Sequence, residues 1–166
     1  MTTTADPRAV ADTVTDPELP LLTLSDLGVL RDVHVGPTGT VVVELTPTYP
    51  GCPAMGTMRA DLVRALAEAG FADVEVRTVP EPAWRTDWIT ADGRRKLVQA
   101  GIAPPAPGRP AGPVALEEPV AVPQAVSCPL CGSADTEALS EVGSTACKAL
   151  RRCRGCAELF EHLKEV

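Results

Sequence analysis

The segments Cys128-Pro129-Leu130-Cys131 and Cys153-Arg154-Gly155-Cys156 are separated by twenty-one residues near the end of the chain. Two residues between cysteines allow a tight turn to direct both sulfurs at one ion, and two such turns complete a tetrahedral site. Because a segment of about forty residues is too small to fold reliably by hydrophobic burial alone, metal binding would supply much of its folding free energy. We therefore predict that residues 127–166 form a ribbon around one structural zinc ion, bound by Cys128, Cys131, Cys153 and Cys156.

Other interpretations of the four cysteines remain open from their spacing. Four thiolates also bind a single iron ion or an iron-sulfur cluster. Two disulfides, or four unligated thiols, are disfavoured because residues 1–7 lack the basic start and apolar stretch of a secretion signal. The lack of a secretion signal in residues 1–7 also predicts a cytoplasmic protein with reduced thiols.

The composition of the whole chain is that of a globular protein with an aliphatic core. Its 166 residues include two Trp, two Phe and one Tyr, and they suffice for one ordinary domain with a short appendage. The net charge is −7, and the absence of a basic segment argues against a nucleic-acid partner. Since no run of about eighteen apolar residues is present, we expect no membrane partner.

Residues 1–102 have the pattern of a small α+β domain of the αββαβ type. Segments with helical spacing of apolar residues alternate with segments rich in β-branched residues. The predicted elements are a helix at 8–14, a β-hairpin with strands at 29–35 and 40–46, an amphipathic helix at 55–69, a strand at 74–79 and a further short helix at 91–100.

Residues 103–126 contain seven prolines and two glycines and almost no periodic pattern. Such a composition resists packing and favours extended conformations. It predicts a Pro-rich linker between the domain at 1–102 and the ribbon at 127–166.

Cys52 ends a loop rich in proline and glycine, directly before the predicted amphipathic helix. Unpaired backbone donors and partial positive charge at a helix start would lower the pKa of its thiol and help it bind a metal. Asp16 and Glu18 lie in the stiff segment 16–20 and offer two carboxylates, although the sequence does not place them beside Cys52. Because free cysteines are often simply buried, functional and structural roles of Cys52 are both open.

The remaining cysteine and the two histidines give no convincing enzyme site. Cys147 stands beside Lys148 and is interpreted as a reactive thiol, an alternative metal ligand or a bystander. His34 and His162 are expected at the surface. A nucleophilic pair of Cys52 and His34 is conceivable, but the sequence does not indicate a third group that would orient the histidine.

Three segments of the first domain resemble the domain shared by iron-sulfur assembly factors of the SufT type, over roughly residues 8–80. They are Asp16-Pro17-Glu18-Leu19-Pro20, Asp26-Leu27-Gly28 and Thr46-Pro47-Thr48-Tyr49-Pro50-Gly51-Cys52-Pro53-Ala54. Three later segments, together with the four cysteines, resemble one branch of these proteins, the PaaD family. They are Pro82-Ala83-Trp84-Arg85-Thr86-Asp87-Trp88-Ile89, Gly93-Arg94-Arg95-Lys96-Leu97 and Gly143-Ser144-Thr145-Ala146-Cys147-Lys148-Ala149-Leu150.

The resemblance to PaaD implies an accessory role in the multicomponent phenylacetyl-CoA epoxidase (oxygenase) system of aerobic phenylacetate degradation. It implies help with assembly or insertion of an iron-sulfur cluster, with the iron-sulfur reductase of that system and the iron-sulfur assembly machinery as partners. Cys52, with Asp16 and Glu18, would handle the cluster or iron in passage. Catalysis of the epoxidation is not implied, and the chain lacks the paired Glu-x-x-His motifs of a di-iron oxygenase.

Two alternatives from other functional classes remain. The first is a non-catalytic structural or regulatory oxygenase subunit, in which the ribbon binds neighbouring subunits and Cys52 is inert. The second is a nucleic-acid-binding zinc ribbon, which the acidic balance and the lack of basic stretches interleaved with aromatic residues disfavour.

Overall fold

A computed structural model of the protein describes residues 5–106 and 125–164. The chain divides into two compact units, one ending at Lys96 and the other beginning at Leu97. The predicted linker lies mostly outside the described residues, and the predicted domain limits stay a prediction. The α+β class is confirmed. No helix in the described part of the chain is long and apolar enough to cross a membrane.

The first unit follows the predicted αββαβ order. Its elements are α1 (Pro7–Ala11), β1 (Leu30–Val35), β2 (Val41–Leu45), α2 (Met55–Glu68) and β3 (Val74–Thr78). β2 is the central strand: β1 pairs with it antiparallel as the predicted hairpin, and β3 pairs with it parallel after the chain crosses back through α2. A 3-10 helix (Thr86–Trp88) and α3 (Ala91–Gln99) follow.

Helix α1 is shorter than predicted, because it ends at Ala11 rather than at residue 14. The Asp6 side chain caps its start by accepting a hydrogen bond from the Arg8 N–H at 3.0 Å. Thr15 then forms an isolated antiparallel bridge with Thr23, which draws the chain into an extended conformation. The early end of this helix is thus followed by pairing with a segment eight residues later.

Both β2 and α2 contribute fully buried side chains to the core of the first unit. Val41, Val43 and Leu45 on β2 are fully buried, as are Leu62 and Leu66 on α2. Burial of each such side chain stabilises the fold by about 1.5–3 kcal/mol. The helical spacing in the sequence therefore identified the buried face of α2 correctly.

Asp26 links the turn at residues 23–28 to α3. Its Oδ2 accepts hydrogen bonds from Lys96 Nζ at 2.6 Å and from the Thr23 N–H at 3.0 Å. Burial opposes ionisation of Asp26, but these donors outweigh it and hold the pKa of the carboxyl below its ordinary value. The ion pair therefore holds the helix against the turn.

At Gly28, this turn packs tightly against the segment that follows β3. Its φ is +71°, and a Cβ placed on it would lie 2.5 Å from both Cβ and the carbonyl oxygen of Trp88. Trp84, in the same segment, donates from Nε1 to the Leu27 carbonyl at 2.8 Å and is buried. Only glycine satisfies both the backbone conformation and the space at position 28.

The second unit is a four-stranded sheet in the order β4-β7-β6-β5. Its strands are β4 (Ile102–Ala103), β5 (Thr136–Ser140), β6 (Lys148–Cys153) and β7 (Leu159–Leu163). β5, β6 and β7 pair antiparallel, whereas β4 pairs parallel to β7. The sequence analysis did not predict β4, because a two-residue strand has no periodicity and its partner lies far along the chain.

Gly28→Ala should destabilise the first unit more than Gly39→Ala, which serves as the matched control. Gly39 also has a positive φ, +86°, but no atom lies within 4 Å of a Cβ at that position. The control variant should lose about 1–2 kcal/mol of unfolding free energy, because of the backbone conformation alone. Gly28→Ala should cost at least about 2 kcal/mol more, because the backbone of Trp88 cannot move freely.

Urea unfolding followed by tryptophan fluorescence measures the unfolding free energy of both variants, since both tryptophans lie in this unit. Equal losses in the two variants would contradict the close packing of Gly28 on Trp88.

Candidate functional site

The four predicted metal ligands come together in the second unit. Their sulfur atoms all lie within 4.8 Å of one another. Cys128 and Cys131 lie in a turn before β5, closed by the Gly132 N–H donating to the Cys128 carbonyl at 2.9 Å. Cys153 ends β6, and Cys156 lies in the turn before β7.

The distances fit a tetrahedral ion with thiolate ligands. Four sulfurs bound at 2.3 Å from a central zinc ion lie about 3.8 Å apart. Sγ of Cys128 and Sγ of Cys156 are 3.8 Å apart, and Sγ of Cys131 and Sγ of Cys153 are 3.5 Å apart. A disulfide would place two sulfurs about 2 Å apart, and all six cysteines are free. The four cysteines therefore converge as their spacing predicts, in a geometry that fits one metal ion.

The site has a buried side and an exposed side. Cys128 and Cys153 are buried and pack in one cluster with Ala103 and Phe160. Cys131 and Cys156 are exposed. The Cys156 N–H donates to Sγ of Cys153 at 3.5 Å, and this hydrogen bond lowers the pKa of the Cys153 thiol to about 7. This thiol therefore ionises readily, as a metal ligand must.

Cys52 ends a tight turn at the beginning of α2. Its N–H donates to the Tyr49 carbonyl at 3.3 Å, and Gly51 between them has φ +79°. Ala54 is the N-cap, so both Cys52 and Pro53 precede the helix. The Cys52 side chain is half-buried.

The expectation that the helix start lowers the pKa of Cys52 is wrong. Burial raises the pKa of this thiol, and the negative charges of Glu18 and Asp16 raise it further. The backbone N–H of Ala54 acts on the thiol in the expected direction, but it does not outweigh these effects. Cys52 is therefore held mainly as a protonated thiol at neutral pH.

The two acidic residues differ in their surroundings. Asp16 is buried, and its Oδ1 accepts hydrogen bonds from the N–H groups of Glu18 and Leu19, each at 2.8 Å. It therefore holds the turn at residues 16–19 in place. Glu18 is half-buried, and both carboxylates are near enough to act electrostatically on Cys52. The fold thus brings the charges of Asp16 and Glu18 within electrostatic reach of Cys52, which the sequence alone did not indicate.

Tyr49 was not among the predicted site residues. Its side chain is near enough to Cys52 to act on the thiol, in the direction that lowers its pKa. The signal was present in the sequence, because Tyr49-Pro50-Gly51-Cys52 has the residues of a type II turn, which brings its first and fourth residues together.

Cys147 lies outside the group of four metal-ligating sulfurs. It is half-buried, and Thr145 Oγ1 lies 3.1 Å from its Sγ. The neighbouring Lys148 is buried and paired with Glu161, with Nζ 3.0 Å from Oε2. The lysine charge is therefore already compensated by a carboxylate.

The two histidines differ in exposure. His34 is exposed as expected, and its Nδ1 lies 2.8 Å from Oδ2 of Asp32. His162 is half-buried instead of lying at the surface. Burial, with the nearby charge of Arg151, lowers its pKa to about 4.

Comparison with known families matches both parts of the chain. Residues 8–78 match the model of an iron-sulfur cluster assembly protein, and residues 114–164 match the PaaD zinc beta ribbon domain. The first match contains Cys52, and the second contains all four clustered cysteines.

Two relatives match this chain with different coverage. A protein of Escherichia coli assigned as a component of 1,2-phenylacetyl-CoA epoxidase is 42% identical over 156 residues, covering 94% of this chain and 89% of that protein. An Fe-S protein maturation auxiliary factor of Porphyromonas gingivalis is 37% identical over 87 residues, covering 51% of this chain and 81% of the other.

The fold of the first unit also has a counterpart among solved structures. The crystal structure of a domain of unknown function, DUF59, from Bacillus anthracis is 27% identical and superposes with a TM-score of 0.51. The match covers 55% of this chain and 87% of that one.

Cys131→Ser should release the metal ion and unfold the second unit, because metal binding in such ribbons supplies on the order of 10 kcal/mol of folding free energy. Cys131 is exposed, so the substitution removes a ligand without opening the buried cluster. Metal analysis of the full chain should show about one ion fewer per molecule than wild type. Cys147→Ser, the matched control, should keep its metal. A folded, metal-free second unit in the Cys131→Ser variant would contradict the structural role of the ion.

Glu18→Gln should lower the pKa of the Cys52 thiol, because it removes one of the charges that raise it. Alkylation of Cys52 by iodoacetamide, followed by mass spectrometry of its peptide, should then rise at lower pH than in wild type, with the same plateau at high pH. Glu68→Gln makes the same charge change at the far end of α2 and should leave the profile unchanged. Identical profiles in wild type and Glu18→Gln would refute the electrostatic contact.

Proposed function

Because this chain belongs to the PaaD family, which includes a component of phenylacetyl-CoA epoxidase, we propose that it assists assembly or insertion of an iron-sulfur cluster in that oxygenase system. The client is the iron-sulfur reductase, and the cluster is supplied by the iron-sulfur assembly machinery. The cluster, or its iron, is cargo of the protein and not a resident cofactor.

The observation that carries the proposal is the placement of Cys52. Its thiol is half-buried at a turn before α2, within the part of the chain that matches an iron-sulfur assembly protein. Iron-sulfur species are bound by thiolates, and a loop thiol with partial exposure can be reached by a second protein.

The charges around Cys52 support a temporary bond to the cargo. Since the thiol is protonated at neutral pH, iron must displace a proton to bind, and protons compete for the sulfur afterwards. Glu18 and Asp16 attract a cation but disfavour the accumulation of negative charge on a thiolate-bound cluster. The environment of Cys52 therefore suits transfer of the cargo better than its storage.

The second unit is proposed to serve as a docking module. Zinc bound by Cys128, Cys131, Cys153 and Cys156 would cross-link two turns and contribute no redox chemistry. Leu130 and Leu159, beside the two cysteine pairs, are 57% and 55% exposed and offer apolar contacts to a partner. Because the chain carries a net negative charge, nucleic acid is an unfavourable partner for the same surface.

The proposed role is accessory and not catalytic. A di-iron carboxylate oxygenase uses two Glu-x-x-His motifs, each with glutamate three residues before histidine. The residues three positions before the two histidines, His34 and His162, are Arg31 and Leu159. The chain therefore cannot supply these motifs.

Cys52→Ser should leave the protein folded while the co-expressed reductase accumulates largely without its cluster. The measurement is iron and acid-labile sulfide in the purified reductase, on the order of one tenth of the wild-type content or less. Cys147→Ser is the control with the same chemical change in the other half-buried thiol and should support normal loading. Normal cluster content with Cys52→Ser, together with co-purification in fixed stoichiometry, would instead favour a structural or regulatory subunit.

A further inference from the structure

Strand β3 forms one edge of the sheet in the first unit, because β2 is its only partner among the described strands. At its start, the Val41 N–H donates to the Asp73 carbonyl at 2.9 Å. At its end, the Val79 N–H donates to the Leu45 carbonyl at 2.8 Å. Since successive residues of a strand direct their N–H and C=O groups to alternate sides, residues 74, 76 and 78 direct theirs to the open edge.

The side chains of Glu75 and Arg77 place a negative and a positive charge on the same face of β3. Both residues are exposed, and Nε of Arg77 donates to Oε1 of Glu75 at 2.8 Å. They lie on either side of Val76 in sequence, so turning the strand end to end about Val76 exchanges the two charges. A second β3 strand, placed antiparallel about Val76, therefore presents its Arg77 to Glu75 and its Glu75 to Arg77.

Backbone groups and charges together select this register for two antiparallel β3 strands. Val76 pairs with Val76 of the second copy, and Val74 pairs with Thr78, through the N–H and C=O groups that point to the open edge. Glu75 and Arg77 of the second copy are then directly opposite at a non-hydrogen-bonded position, where facing side chains are closest. A shift of two residues in either direction would instead place Glu75 opposite Glu75 or Arg77 opposite Arg77, which is destabilising.

We propose that β3 is an interaction surface for a second copy of this chain, paired edge to edge about Val76 so that the strands of two first units form one continuous sheet. The opposite edge strand, β1, has a register shift between Leu30 and Asp32 in its pairing with β2. Such a shift bends an edge strand and hinders pairing with a further strand, whereas the pairing of β3 is regular. The edge formed by β3 is therefore the one suited to pairing between copies.

An exposed apolar side chain on α2 lies beside the same edge. Arg59 on α2 donates to Oγ1 of Thr78, which places this side of the helix next to the end of β3. Val63 follows one helical turn later on the same side of α2 and is 42% exposed. A second copy paired along β3 would cover part of Val63, so apolar burial adds to the backbone and charge contacts.

Sedimentation velocity of the full chain tests whether the copies associate. A short strand pair buries a small interface, so we expect a reversible dimer with a dissociation constant on the order of 10–100 µM. The weight-average sedimentation coefficient should therefore rise between about 1 µM and about 500 µM protein. A wild-type chain that stays monomeric over this range overturns the proposal, including the case in which the β3 edge accepts a strand of another protein.

Glu75→Arg and Arg77→Glu test the register of the pairing. Each variant alone places like charges opposite each other, so its dissociation constant should be at least about tenfold higher than that of wild type. Mixed in equal amounts, the two variants should form a heterodimer with an affinity near that of wild type, because every charge then faces an opposite one. Asp32→Arg makes the same charge change on β1 and should leave dimerisation unchanged.

The mixing experiment separates loss of pairing from loss of folding, because a misfolded variant would not regain association when mixed with its counterpart. Single variants that dimerise as tightly as wild type, or a mixture that fails to associate, would overturn pairing through β3. None of these measurements involves Cys52, so the proposed function in cluster assembly is tested independently of the dimer.

Discussion

The second unit depends on the convergence of four cysteine sulfurs within 4.8 Å of one another. Two of these sulfurs are buried with Phe160 and Ala103, so the metal site and the small apolar cluster form one structure. Loss of the ion would leave a few aliphatic side chains and a short sheet, which is too little burial for a stable fold. Ala103 belongs to β4, so this strand too is packed against the metal site.

In the first unit, the fold holds one half-buried thiol, that of Cys52, in its protonated and less reactive form. Helix starts commonly promote thiolate formation, but here burial and two carboxylates outweigh that effect on Cys52. The buried Asp16 is held by two backbone N–H groups, so its charge is a fixed part of the fold. An unreactive resting thiol suits the proposed role, in which a partner delivers the iron.

The two units correspond to the two family matches along the chain. The part that matches an iron-sulfur assembly protein contains the single thiol, and the part that matches the PaaD ribbon contains the metal cross-link. After the first match, Trp84, Trp88 and Lys96 pack onto the turn at 23–28, where they meet Leu27, Gly28 and Asp26. This packing extends the first unit beyond β3.

The sequence by itself determined the elements whose signals are local: the hairpin, the amphipathic helix α2 and the paired cysteines that meet at one ion. It did so because strand alternation, helical spacing and the Cys-x-x-Cys turn each need only a few neighbouring residues. Tertiary structure alone decided the two-residue strand β4, the early end of α1 and the surroundings of Cys52. These features depend on residues distant in sequence, whose pairing, burial and charge combine only when the chain has folded.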